Sequence, residues 1–320
     1  MAEAERSEDS PIGTQVPRTF ERSLVGSLPC VVCGYELQGL SIRSVCPECG
    51  TAIRATILYT VDPAAEELRP MLTPRLTAVS LVMWSVLALL ATLASWIPRL
   101  VDAARRVNED VPSLTWTGPL AIIAAAGSGL CVIGLIRPTR ETRIGKSICA
   151  GIAALAYIPL VWLLAQIQSF DESHRTPYFD AVVHADRARM HFLLCICIVV
   201  ALLGLRPNLR DLVKRSLALR TGRVDRQTIY GMAAVAGICA VGDLLRLLSL
   251  RVRPGVGQVL EVAGSLTVAG ASLLLTLGLV SAIIDSWRIS RAILIPPPTL
   301  KTLVGEGNQP PPGSAQVPRS

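Results

Sequence analysis

Residues 76–97 form a run of 22 amino acids without a charge, and that length decides the class of fold. About 20 apolar residues in a helix cover the hydrocarbon core of a bilayer. Five more apolar runs follow, at 118–136, 147–167, 190–205, 229–250 and 259–284. Inside a bilayer every backbone amide and carbonyl must be satisfied within its own segment, so the runs are read as helices rather than strands. The composition agrees: hydrophobic residues make up 51% and charged residues only 17%, with a mean hydropathy of +0.48. Such a balance is too apolar for an ordinary soluble domain.

Lysine and arginine in the connecting segments set the orientation. The second and fourth loops, 137–146 and 206–228, hold eleven basic residues in 33 positions, whereas the first, third and fifth hold eight in 49. Asp102, Glu109, Asp110, Asp171, Glu172, Asp180 and Asp186 lie in that second group. The even-numbered loops and both termini are therefore assigned to the cytoplasm, and the chain to an inner membrane as a multi-pass protein. The net charge of +7 follows from this topology, so it does not point to nucleic acid.

Ahead of the first run stand Cys30-Val31-Val32-Cys33-Gly34 and Cys46-Pro47-Glu48-Cys49-Gly50. Two Cys-x-x-Cys knuckles at this separation supply four thiolates for a tetrahedral zinc ion, and four thiolates leave no open position for catalysis. The glycine after each second cysteine suits a tight turn with positive φ. A disulfide pair is the rival reading, but the reducing compartment favours metal. The five other cysteines (Cys131, Cys149, Cys195, Cys197 and Cys239) lie in apolar runs and read as small hydrophobes. The small stretch has few basic residues and only Tyr35 as an aromatic, so nucleic-acid binding is not expected.

The pattern Cys30-x-x-Cys33-Gly34-Tyr35-x-Leu37-x-Gly39-Leu40, followed by Cys46-Pro47-x-Cys49-Gly50, resembles the N-terminal zinc ribbon of uncharacterised planctomycete-type bacterial membrane proteins. It implies a structural Zn2+ module ahead of a membrane domain and implies no activity. It spans some 21 of 320 residues.

The expected fold is mainly α: a six-helix transmembrane bundle with a small N-terminal β zinc ribbon. Its parts are a disordered segment at 1–27, the ribbon at 28–54, a juxtamembrane linker at 55–75, a membrane domain at 76–288 and a disordered proline-rich cytoplasmic tail at 289–320. Residues 51–60 read as β-rich, and Pro98 as the close of the first span. Small residues in the last two spans, among them Ala233, Ala236, Gly237, Ala240, Gly264, Gly270 and Ala271, would let helices approach closely or serve an oligomer.

Three further groups are candidate sites. Asp243 and Arg246 share a helix face, and Glu261 enters from the same outer side; such intramembrane charges would serve a small transporter or channel, or form a salt bridge near the interface. Asp180, His184, Arg187 and His191 fall on one helical face outside the membrane, where carboxylate and imidazole would hold a metal for an extracytoplasmic activity. Asp180 reads equally as an N-cap. Near 206–226, Asn208 would cap a helix with Asp211 at its third position, and the basic face of that helix would meet anionic lipid. With no catalytic motif in the chain, an enzyme is disfavoured. The leading function is a membrane-anchored interaction or assembly module whose ribbon contacts a cytoplasmic protein partner.

Overall fold

A computed structural model of the chain describes residues 23–61, 71–105, 107, 114–139, 142–174, 183–214, 228–294 and 303. It divides into two compact units, one of residues 1–68 with 297–320 and one of residues 69–296. Among the described residues there are seven helices and no strands. Five of the helices are long and apolar enough to cross a membrane, as a membrane protein requires.

The small unit is built of turns held by isolated β-bridges, Ser23 with Ser41, Pro29 with Glu36 and Val45 with Ala52, followed by α1, Ile53–Thr60. The expected β ribbon is thus reduced to single bridges, because each knuckle turns back within a few residues and leaves no length for a ladder. Residues 53–60 are helical, not β-rich. Ile53, Thr56 and Ile57 are spaced three and four apart, and that face is the buried one. The core joins Leu24, Leu28, Leu37, Ile42 and Ile53 with Leu303 from the far end of the chain. Leu303 is 2% exposed, and its carbonyl accepts from the amides of Val25 and Gly26. The reading of 289–320 as a disordered tail therefore stops short at two places: residue 303 is packed, and the last helix runs on to Leu294.

The large unit holds α2 (Pro74–Arg105), α3 (Thr117–Ile133), α4 (Ile144–His174), α5 (Ala185–Val213), α6 (Thr228–Ser249) and α7 (Pro254–Leu294). Each helix packs on the next in sequence, and α7 returns to α2, which closes a ring. At 17 residues, α3 is shorter than the five spanning candidates. Pro98 does not end α2, which continues through it to Arg105; a proline is tolerated in apolar helices where neighbours re-satisfy the freed carbonyl. Apolar side chains face outward, as Ile144, Ile148, Ile152, Leu155 and Trp162 do along α4. A helix in water would put polar groups there.

Inward-facing positions combine large apolar side chains, such as Leu81, Leu135 and Leu205, with small or hydrogen-bonded ones. On α3 the buried face is Ala121, Ala124, Ala125, Ser128 and Val132. The Trp84 indole donates to the Tyr157 hydroxyl at 2.8 Å, and the Ser128 hydroxyl donates to the Trp84 carbonyl at 3.0 Å, so α2, α3 and α4 share one polar knot. Around it lies an apolar cavity of about 120 Å3. α6 and α7 cross at Gly242 and Gly264: a Cβ on Gly264 would sit 2.6 Å from the Gly242 carbonyl oxygen. Of the small residues expected at such crossings, Ala233, Ala236, Ala240 and Ala271 are buried, whereas a Cβ on Gly237 or Gly270 would meet nothing within 4 Å.

Candidate metal centres

The two knuckles have the same local construction. In the first, the amide of Gly34 donates to the Cys30 carbonyl at 2.9 Å and the amide of Cys30 to the Tyr35 carbonyl at 2.8 Å. In the second, Gly50 donates to Cys46 and Cys46 to Thr51 at the same two distances. Gly34 and Gly50 have φ of 76° and 70°, a conformation that a Cβ would strain. Each turn points two sulfurs the same way, and the four come within 4.8 Å of one another. Cys30 Sγ lies 3.6 Å from Cys49 Sγ, and Cys33 Sγ 3.5 Å from Cys46 Sγ. Cys30, Cys33, Cys46 and Cys49 thus form a cluster able to hold a metal ion.

Electrostatics within the cluster favour a cation. The backbone amides of Cys33 and Val32 pull the Cys30 thiol down to about 6. At Cys33 the Tyr35 amide pulls the same way, but desolvation and the three neighbouring sulfurs outweigh it, and the thiol is pushed up to about 12. Four thiolates at this spacing repel one another, so full ionisation requires a positive charge among them. Outside the ligands, Glu36 braces the first knuckle. Its carboxylate accepts from the Ser27 hydroxyl and the Leu28 amide, each at 2.7 Å, and from the Gln38 amide at 3.2 Å. Those bonds hold its carboxyl below the usual range.

The structure redistributes the other candidate residues. Asp243 lies fully buried on α6, with Arg246 Nη1 3.5 Å from its Oδ1. Glu261 does not join them: it is half-exposed on α7 and forms no ion pair among the described residues. The partner that does join is His191, whose Nδ1 is 2.6 Å from Asp243 Oδ2. The outer face accordingly comes apart. Asp180 lies outside the described residues. His184 precedes α5 and packs edge-on against Phe170 with ring centroids 5.6 Å apart. Arg187 turns to Asp171 of α4, at 2.6 and 3.1 Å.

Asn208 is not an N-cap. Helix α5 runs straight through it to Val213, and its side-chain amide donates to the carbonyls of Leu135 and Ile136 at 2.8 and 2.9 Å. These carbonyls follow the end of α3 and lack a continuing helix to satisfy them, which is why the asparagine is buried rather than placed at a helix start. Asp211 pairs with Lys146 and Lys214. The remainder of the basic stretch, residues 215–227, lies outside the described residues.

Sequence reasoning passed over Cys195 and Cys239. Their sulfurs lie with His191 and Asp243 in a second group of four ligand atoms, all within 4.8 Å of one another. The signal was present as two pairs at helical spacing, His191 with Cys195 and Cys239 with Asp243. It was hidden because each pair alone is ordinary. No known protein family, curated protein or solved structure matches the chain.

Proposed function

We propose that this chain is an inner-membrane protein with six spans, and that its cytoplasmic ribbon, folded around one structural zinc ion, is the contact module for a partner protein. The observation that carries this reading is the closed four-sulfur set with apolar side chains exposed on its knuckle. Sulfurs at about 2.3 Å from a zinc ion at tetrahedral corners lie about 3.8 Å apart, close to the 3.6 and 3.5 Å separations here. With every position taken by protein, the ion would shape the module rather than react. Val31, Val32 and Tyr35 stand exposed between and beside the first pair of ligands, where a solvated turn ordinarily carries polar residues. The resemblance of residues 30–50 to ribbons on other membrane proteins supports the same structural role.

The number of spans has a separate support. Leu24 and Leu303 share one small core, yet all the apolar helices lie between them in the chain. Two residues in one compact unit must be on one side of a bilayer, so an even number of crossings separates them. The five long helices alone would be odd; with α3 they are six. The basic even-numbered loops then put both ends in the cytoplasm.

The test is a photo-crosslinking amino acid placed at Val32 in living cells, with the same residue at Ile123, exposed on α3, as the control. A discrete protein adduct at Val32, absent at Ile123 and lost with Cys46→Ala, is expected. Adducts only to lipid or nucleic acid, or none at Val32 and Tyr35, would overturn the contact reading. Orientation is checked with a membrane-impermeant biotinylating reagent on a cysteine-free tag fused at residue 320, which should react only after the cells are opened.

A further inference from the structure

A thiol in an apolar helix ordinarily counts as a small hydrophobe, but Cys195 and Cys239 have company that hydrophobes do not need. His191 and Cys195 are four residues apart on α5, and Cys239 and Asp243 four apart on α6. Each pair therefore lies on one face of its helix, and the two helices pack together. The result is one imidazole nitrogen, two sulfurs and a carboxylate oxygen within 4.8 Å of one another.

Packing alone gives a poor account of this group. Asp243 has no exposed surface, and Cys195 and Cys239 are 3% and 7% exposed. A buried carboxylate is strongly unfavourable unless charge and hydrogen bonds compensate it. His191 satisfies Oδ2, yet Oδ1 accepts no hydrogen bond, with only Arg246 at 3.5 Å. A carboxylate with a spare oxygen, held beside two thiols, is a set of donors short of an acceptor for their electrons.

We propose that His191, Cys195, Cys239 and Asp243 bind one divalent cation of the zinc class inside the helical unit. Four donors of nitrogen, sulfur and oxygen are the number and kind that tetrahedral zinc takes, and mixed thiolate and imidazole sets favour such borderline ions over Mg2+ or Ca2+. Two thiolates and one carboxylate would carry three negative charges, offset by the two positive charges of the cation together with Arg246 beside Asp243 and Arg99 in the same cavity. Binding breaks two S–H bonds, forms two metal–sulfur bonds, one metal–nitrogen bond and one metal–oxygen bond, and releases two protons to water. The neutral imidazole keeps its one proton on the ring nitrogen that does not bind, and no oxidation state changes. This reading stands independently of the ribbon.

Two cavities meet at His191 and give the ion a route. One, of about 70 Å3, is lined by Gln168, Asp171 and Arg187 at the end of the unit where α4 stops and α5 begins. The other, of about 110 Å3, continues from His191 past Cys195 to Cys239. Arg99 lines both, with its guanidinium 5.6 Å from the centre of the Trp96 ring.

The experiment is elemental analysis of the full-length protein in detergent, equilibrated with buffered Zn2+. Two zinc ions per chain are expected in the wild type, one in Cys46→Ala and one in Cys195→Ser/Cys239→Ser. In Cys46→Ala, exchange with Co2+ should give the thiolate charge-transfer band and the intense d–d absorption of tetrahedral cobalt, and Asp243→Asn should shift the d–d absorption. A wild-type stoichiometry of one that falls to zero in Cys46→Ala would overturn the proposal. So would a second zinc that survives the loss of both thiols. One zinc that persists in Cys46→Ala and vanishes in the double serine variant would support this site and sink the ribbon instead. Where the serine variants fail to fold, the wild type still decides. Zn2+ should protect Cys195 and Cys239 from a membrane-permeant maleimide and a chelator should restore labelling; equal labelling in both conditions would overturn the site.

Discussion

Among the described residues there are two clusters of four ligand atoms, and they are assembled in opposite ways. In the ribbon the outermost ligands, Cys30 and Cys49, are 19 residues apart, and backbone turns alone bring them together. In the helical unit His191 and Asp243 are 52 residues apart and meet only because α5 packs on α6. With the zinc proposed above, the first cluster would be organised by its ion, whereas the second is placed by the packing of two long helices. Metal dependence of the surrounding structure should therefore differ sharply between the two.

The largest effect is expected from Cys46→Ala. A structural zinc in a small module contributes on the order of 10 kcal/mol to its folding, more than a core of this size supplies by itself. Limited proteolysis should find residues 23–61 cleaved while the apolar helices stay protected. If the ribbon resists protease without its ion, the contrast fails. Asp243→Asn comes next. Removing one charge of a buried group leaves Arg246 without its counter-charge, at a cost of about 3–5 kcal/mol, to be read as a lowered Tm in detergent with the ribbon still resistant to protease. A Tm unchanged by the substitution would mean that the buried group is not held by its ion pairs.

Gly264→Val tests how far the α6–α7 crossing supports Arg246 beside the second cluster. The added atoms would meet the Gly242 carbonyl and the Arg246 side chain, and the overpacking should cost about 1–3 kcal/mol. Because Arg246 is displaced, the double variant with Asp243→Asn should lose less than the sum of the two. The smallest effect belongs to Glu36→Gln. The Glu36 carboxyl is depressed in the folded ribbon, so its contribution is present above the unfolded carboxylate value of about 4.3 and is lost as the pH falls through the lower folded value. Acid titration of metal retention should lose that component in the variant, shifting the midpoint by a few tenths of a pH unit, while the helical unit shows no such change.

Legibility in the sequence followed the same division. The four ribbon cysteines and their two glycines were readable because ligand spacing and positive φ are local properties. The apolar helices were readable from length, although their ends were not: α2 runs past Pro98 and α5 past Pro207, because apolar neighbours tolerate what water would punish. Asn208 was misplaced for a tertiary reason, since the carbonyls it serves belong to residues 135 and 136. Asp243 and His191 were both singled out, but in separate groups, and no periodicity within one helix could show that they face each other across two.

Leu303 gives the small unit a dependence on timing. Its side chain belongs to the core formed by residues 24–61, and its carbonyl caps the amides of Val25 and Gly26. A ribosome makes the first part of that core early and the last part only after every apolar helix has been synthesised. The core of the small unit is thus complete only once residue 303 has been made. A product stalled before residue 303 would lack the Leu303 side chain from that core and the acceptor of the Val25 and Gly26 amides.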